Sequence, residues 1–202
     1  MKKKTQLRII LFFVIGYLII FSVLSLFDKN YEFLYYTGIM SIIIFIAVLY
    51  HKKLHLPVPV LAGFAVFGIM HVSGGNIWIG TTKLYDFWII PSVLKYDNLA
   101  HLVAIFFVTL AAYSLLYPHF DKKIKQNKFL LFLLLILVSL GVGAFHEILE
   151  LIAVALFHVE ERVGGYINNA LDLVFNLIGA VLACFFLLIY YRREEKKFLG
   201  II

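Results

Sequence analysis

Six long, nearly uncharged apolar runs constrain this chain more than anything else in it. They lie at about 9–27, 33–50, 56–72, 97–117, 129–157 and 166–191. A hydrocarbon core of ~30 Å is crossed by about 20 apolar residues of helix. Backbone polar groups in lipid find no water, so a segment that crosses must satisfy its own hydrogen bonds, as a helix does. The chain is 63% hydrophobic over 202 residues, whereas soluble domains are nearer half apolar. The expected fold class is therefore all-α: a polytopic membrane protein of six transmembrane helices, forming a single integral membrane domain over 1–202.

The N-terminus, Met1-Lys2-Lys3-Lys4 before an apolar run, has the outline of a signal peptide. The apolar part is too long for an h-region and no small-residue cleavage site follows, so it reads as the first span. The basic residues then set orientation. With the N-terminus inside, the inner segments hold 14 of the 18 Lys+Arg: Lys2, Lys3, Lys4, Arg8, Lys52, Lys53, Lys122, Lys123, Lys125, Lys128, Arg192, Arg193, Lys196 and Lys197. The outer segments hold Lys29, Lys83, Lys95 and Arg162. This predicts a cell-membrane protein with both termini cytoplasmic and membrane lipids as partners. The basic surplus has a topological cause, and no nucleic-acid partner is expected. The single cysteine, Cys184, excludes an intramolecular disulfide and reads as a small buried hydrophobe.

The connection 73–96 is long and rich in aromatic residues and glycine. It is expected at the membrane interface, where Trp78 and Trp88 would anchor, with a re-entrant excursion as the alternative. Pro57 and Pro59 fall in the first turn of the third span, where proline is tolerated. The fifth span, at ~1.5 Å per residue, is longer than the hydrocarbon is thick. It must tilt, kink near Gly141 and Gly143, or project.

Polar residues within the spans sort by depth. His71 lies at the outer end of the third span. Asp97 and His101 open the fourth at i, i+4 and share a face. In the fifth, Glu150 and Glu147 lie ~10 and ~15 Å from the outer end and share a face bordered by His146. In the sixth, Asn169, Asp172, Asn176 and Gly179 form one stripe. The inner halves of these helices are almost plain hydrocarbon. Ionisable groups in a bilayer normally face a protein interior or a wet cavity. A pocket open to the outer face follows, with His71 and Asp97 near its mouth and Glu147 and Asn176 near its floor.

Asp97, Glu147, Glu150 and Asp172 cannot all ionise in a low-dielectric pocket without compensation. Three arrangements satisfy that condition. One is a divalent metal such as Zn, Mn or Mg, held by His71, Asp97, His101 and Asp172. The second is a carboxyl–imidazole network with shared protons. The third is a set of interhelical polar contacts. No HExxH or CxxC motif is present; His146-Glu147 begins like the first but has Leu149-Glu150 where its second histidine would stand. His51, His55 and His119 read as headgroup-level residues, and His158, Glu160 and Glu161 as a solvated turn. Ser114 and Ser139 are expected to bond back to the preceding helical turn.

Four pieces in order carry a resemblance: His71-x-x-Gly74-Gly75, Tyr96-Asp97-x-x-x-His101, His146-Glu147-x-x-Glu150 and Asp172-x-x-x-Asn176-x-x-Gly179. Together they resemble the YjdF-like bacterial inner-membrane proteins. The later pieces are also similar to the VanZ-like proteins. The segment 166–172 departs from the Gln- and Trp-rich pattern of the former. The resemblance implies a multi-pass membrane protein and a cell-envelope setting, and supplies no reaction.

The function expected from the residues is that of an envelope enzyme. Glu147 or Glu150 would be the general base. Asp97, His101, Asp172 and His71 would be metal ligands, and Asn169, Asn176 and His146 would line the pocket. The substrate would be lipid-linked or amphiphilic. Cation- or proton-coupled transport and a non-catalytic membrane interaction protein are the alternatives.

Overall fold

Each apolar run winds into a helix because nothing in lipid competes for its backbone. The structure, a computed structural model, describes residues 2–158 and 165–198. The helices are α1 (Lys3–Phe27), α2 (Tyr31–Leu54), α3 (Val58–Asn76), α4 (Tyr96–Leu116), a short α5 (Lys122–Gln126), α6 (Lys128–Phe157) and α7 (Tyr166–Phe198). Six of them are long and apolar enough to cross a membrane. The turn predicted around Glu160, Glu161 and Arg162 lies outside the described residues.

Several helices run past their expected ends, α2 as far as Leu54 and α7 as far as Phe198. α1 takes in its basic N-terminus, and α3 continues four residues beyond 72 to Asn76. Polar pairing explains the extension. The Ser25 hydroxyl donates to Asn76 Oδ1 at 2.7 Å, and Asn30 Nδ2 donates to the Gly75 carbonyl at 3.0 Å. Gly75 lets the Phe33 ring lie directly on the α3 backbone, in space a Cβ would occupy.

The connection between α3 and α4 is built rather than loose. Strands β1 (Trp78–Ile79) and β2 (Thr82–Lys83) pair antiparallel, Trp78 opposite Lys83. Their two-residue turn starts at Gly80, whose φ of +63° suits the primed turns that hairpins use. A 3-10 turn, Leu84–Asp86, leads to β3 (Trp88–Ile90) and β4 (Leu94–Lys95), also antiparallel. In each hairpin a lysine ammonium lies over the tryptophan opposite, Lys83 on Trp78 and Lys95 on Trp88. These hairpins cap one end of the bundle. Trp78, Ile79, Trp88 and Ile90 are exposed on its outside.

α4 is the hub, packing against α3, α6 and α7, while α1 packs on α2 and α3. α4 and α7 approach closely because Gly179 faces the Leu102 carbonyl oxygen, where a Cβ would overlap it. Away from the cap, the interior is hydrocarbon: Leu110, Leu131, Leu135, Ala183 and Leu187 form one buried cluster. Ser114 and Ser139 donate to the carbonyls of Leu110 and Leu135, each at 2.8 Å, as their sequence context predicts. Thr109 adds a hydroxyl bond to Ser139 at 2.9 Å. Cys184 is buried in the same cluster.

Leu135 is fully buried, whereas Leu137 is 57% exposed on the same helix. Leu135→Ala is expected to destabilise the protein by about 2–5 kcal/mol and Leu137→Ala hardly at all. Thermal melting in detergent reads the difference.

Candidate functional site

Near the cap, four helices bring polar side chains to one place. The first two turns of α4 supply Asp97, Asn98 and His101. The start of α7 supplies Asn168, Asn169, Asp172 and Asn176. The second half of α6 supplies His146, Glu147 and Glu150, and the end of α3 supplies His71. His101, His71, Asp172 and Asn176 are buried, the last two almost completely.

His101 is the centre. Its Nδ1 lies 3.3 Å from Asn176 Oδ1, and an amide oxygen only accepts. Nδ1 therefore carries a proton, and in the neutral ring Nε2 presents a lone pair. That Nε2 is 3.7 Å from Asp97 Oδ1 and 3.9 Å from Asp172 Oδ1. The ligand atoms of these three residues lie within 4.8 Å of one another. A second set, His101, His146 and Glu150, meets the same limit and shares His101.

Neighbouring amides hold the carboxylates in place. Asn98 Nδ2 donates to Asp172 Oδ1 at 2.9 Å, and Asn168 Nδ2 donates to Asp172 Oδ2 at 2.9 Å and Asp97 Oδ2 at 3.4 Å. Lys95 Nζ takes the other end of Asn168, its Oδ1, at 3.4 Å, and also pairs with Asp86 at 3.6 Å. Deeper, both carboxylate oxygens of Glu147 and the Nδ2 of Asn176 are buried without a hydrogen-bond partner. Glu147 Oε1 stands 3.8 Å from His101 Nδ1. Gly143 makes the room for Asn176, since a Cβ there would come within 2.7 Å of its Nδ2.

A cavity of about 50 Å³ lies between this cluster and the cap, walled by Glu150, Asp97, His71, Tyr36, Tyr85 and Glu32. That is room for a few waters or an ion. His146 and Glu150 pair at 3.3 Å on α6. The imidazoles of His71, His146 and His101 follow one another with centroids 5.6 and 5.3 Å apart.

The sequence groups Asp97, His101, His146, Glu147, Glu150, Asp172 and Asn176, and these residues adjoin one another in the fold. His71 differs from expectation. It belongs to neither convergent ligand set, and its Nδ1 meets the Tyr85 hydroxyl. Burial, with Asp97 and Glu150 near by, holds the Tyr85 phenol well above its usual range, so the hydroxyl stays protonated and donates. Asn169 has a buried Oδ1 without a hydrogen-bond partner, and Asn168 makes the carboxylate contacts instead. Sequence reasoning missed Asn98, Asn168, Tyr85, Tyr36 and Glu32. The i, i+4 spacing of Asn168 and Asp172, and of Glu32 and Tyr36, is the signal that points to two of these pairs.

Tyr85→Phe leaves the His71 Nδ1 buried without a donor. The expected cost is about 1–3 kcal/mol, read by thermal melting, with the ring still seated against Gly74.

No curated protein and no solved structure matches the chain. A family of membrane proteins does match, over residues 7–193, nearly the whole sequence. On that match the chain belongs to the family described as "Predicted membrane protein (DUF2238)".

Proposed function

We propose that the protein is a metal-dependent membrane enzyme. A divalent cation (Zn, Mn or Mg) would be held by Asp97, His101 and Asp172, with the His146–Glu150 pair beside it. One observation carries this reading: the His101 Nε2 lone pair and two carboxylate oxygens face one another at 3.7 and 3.9 Å. Two metal–ligand bonds of ~2.0–2.2 Å add to ~4.0–4.4 Å, so these gaps suit atoms sharing one ion. Without a cation, two carboxylates within 4.8 Å would repel by about 3 kcal/mol at an effective dielectric of 20. The ligand types, imidazole and carboxylate, fit such an ion. The unpartnered oxygens of Glu147 next to the centre support it too.

The ion would supply Lewis acidity toward a phosphoryl or carbonyl oxygen. The protein supplies the rest. Glu150 lines the cavity and is paired with His146, which suits it to accept a proton from an attacking water and pass it on. The Asn176 amide fixes the His101 tautomer, and Asn98 and Asn168 fix the carboxylates, as outer partners of metal ligands do. The substrate would be a lipid-linked or amphiphilic envelope molecule whose polar end reaches the cavity past the cap. The distribution of lysine and arginine supports a cap on the outer side and both termini in the cytoplasm. The YjdF-like and VanZ-like motif order favours the same envelope setting.

The test is reconstitution in liposomes made from a bacterial envelope lipid extract, with Zn, Mn or Mg added in turn. Mass spectrometry should find metal-dependent conversion of a lipid species, lost in Glu150→Gln. Cation or proton flux that depends on Asp172, with no conversion, would replace the enzyme with a transporter. Reporter fusions at the C-terminus should report cytoplasm.

A further inference from the structure

At the end of the bundle opposite the cap, α1, α2 and α3 leave a crevice of about 390 Å³, within the ordinary range of ligand sites. Its walls are of two kinds. Leu7, Ala47, Leu54, Leu56 and Leu61 are apolar, whereas Lys3, His51 and His55 are basic. Each histidine has its Nδ1 tied to a backbone carbonyl, His51 to Val48 and His55 to Lys53, both at 2.9 Å. Each Nε2 is thereby left for something else. His55 also holds a left-handed backbone, φ +48°, at the end of α2. Non-glycine residues adopt that conformation uncommonly.

The end segments of α1 and α2 that border the crevice carry charge of one sign. Residues 2–8 and 51–57 contain Lys2, Lys3, Lys4, Arg8, Lys52 and Lys53, and no aspartate or glutamate. A cationic occupant is repelled, and a neutral one leaves the lysines uncompensated. A small hydrophilic anion gains nothing from five apolar walls. The occupant that satisfies both walls is anionic at one end and hydrocarbon at the other. Exposed Ile46 and Leu49 continue the apolar surface along α2, where a chain would lie.

We propose that this crevice binds the headgroup of an anionic phospholipid, with its phosphate on Lys3, its headgroup hydroxyls donating to the Nε2 lone pairs of His51 and His55, and its acyl chains along α2. It is a defined site and not only the general attraction of a basic segment for an anionic surface. It stands apart from the metal reading of the opposite end.

The full chain, purified in detergent and stripped of lipid, would be titrated with phosphatidylglycerol and with phosphatidylcholine of the same chains, using native mass spectrometry. Phosphatidylglycerol should bind and phosphatidylcholine should not. Lys3→Gln with His51→Gln should weaken binding tenfold or more. Ala47→Phe, which fills the crevice and changes no charge, should weaken it as much while the melting temperature holds. Lys122→Gln with Lys123→Gln and Lys125→Gln, an equally basic stretch elsewhere, should change little. The proposal fails if that last variant loses binding to the same extent, or if phosphatidylcholine binds equally. It fails too if Ala47→Phe binds normally, or if excess inorganic phosphate alone displaces the lipid.

Discussion

If Asp97, His101 and Asp172 hold a metal as proposed, Asp172→Asn is expected to abolish its binding while leaving the empty protein about as stable as before. Asp172 is 1% exposed, and each of its oxygens accepts an amide proton. Asparagine keeps the shape and the bond to Asn98, but sets an NH2 against the donor of Asn168. An unmet buried donor costs about 1–3 kcal/mol. Against this, loss of one carboxylate removes repulsion of about 3 kcal/mol from its neighbour. The two changes nearly cancel when no ion is bound. With an ion they do not, because one of two anionic ligands is gone. Metal affinity should fall at least ~100-fold, beyond the 10–100-fold typical of outer partners. Ligand linkage gives the readout. A chelator should lower the melting temperature of the unmodified protein and leave that of Asp172→Asn where it was. A network of shared protons would give no chelator effect in either.

Gly179→Val should be the most damaging single change at the α4–α7 contact, and Gly141→Val should be nearly silent. A Cβ at Gly179 overlaps the Leu102 carbonyl oxygen, whereas one at Gly141 meets nothing within 4 Å. Overpacking costs typically 1–3 kcal/mol, and an obstacle made of backbone belongs at the upper end, roughly 3 kcal/mol. The helices must part for valine to fit, and they carry the two halves of the ligand set: His101 and Asp97 on α4, Asp172 on α7. Metal retention should therefore fall with stability. Melting curves and bound metal, measured on both variants, separate a packing contact from a general intolerance of valine.

The bundle was legible in the sequence because lipid leaves one option for a long apolar run. The polar cluster was legible because carboxylates, imidazoles and amides recur on single helix faces at spacings of three and four. Asp97 with His101, Glu147 with Glu150, and the stripe through Asp172 and Asn176 are of this kind. The cap was not legible. Its strands are two or three residues long, too short to show alternation, so nothing marked Tyr85 as the residue that reaches back to His71. His71, expected as a ligand, makes that contact and stands outside both ligand sets. Glu32 and Tyr36 were hidden differently. They open an apolar helix rich in aromatic residues, and only the packing of α2 turns them toward the cavity. Asn98 and Asn168 were passed over beside more reactive neighbours, although each donates to Asp172.

Quantitative elemental analysis of the protein, purified without chelators and beside His101→Ala, tests the metal centre most directly. About one divalent ion per chain is predicted, released in the variant because His101 belongs to both ligand sets. No bound ion after loading with Zn, Mn and Mg in turn, or an equal content in His101→Ala, would contradict it.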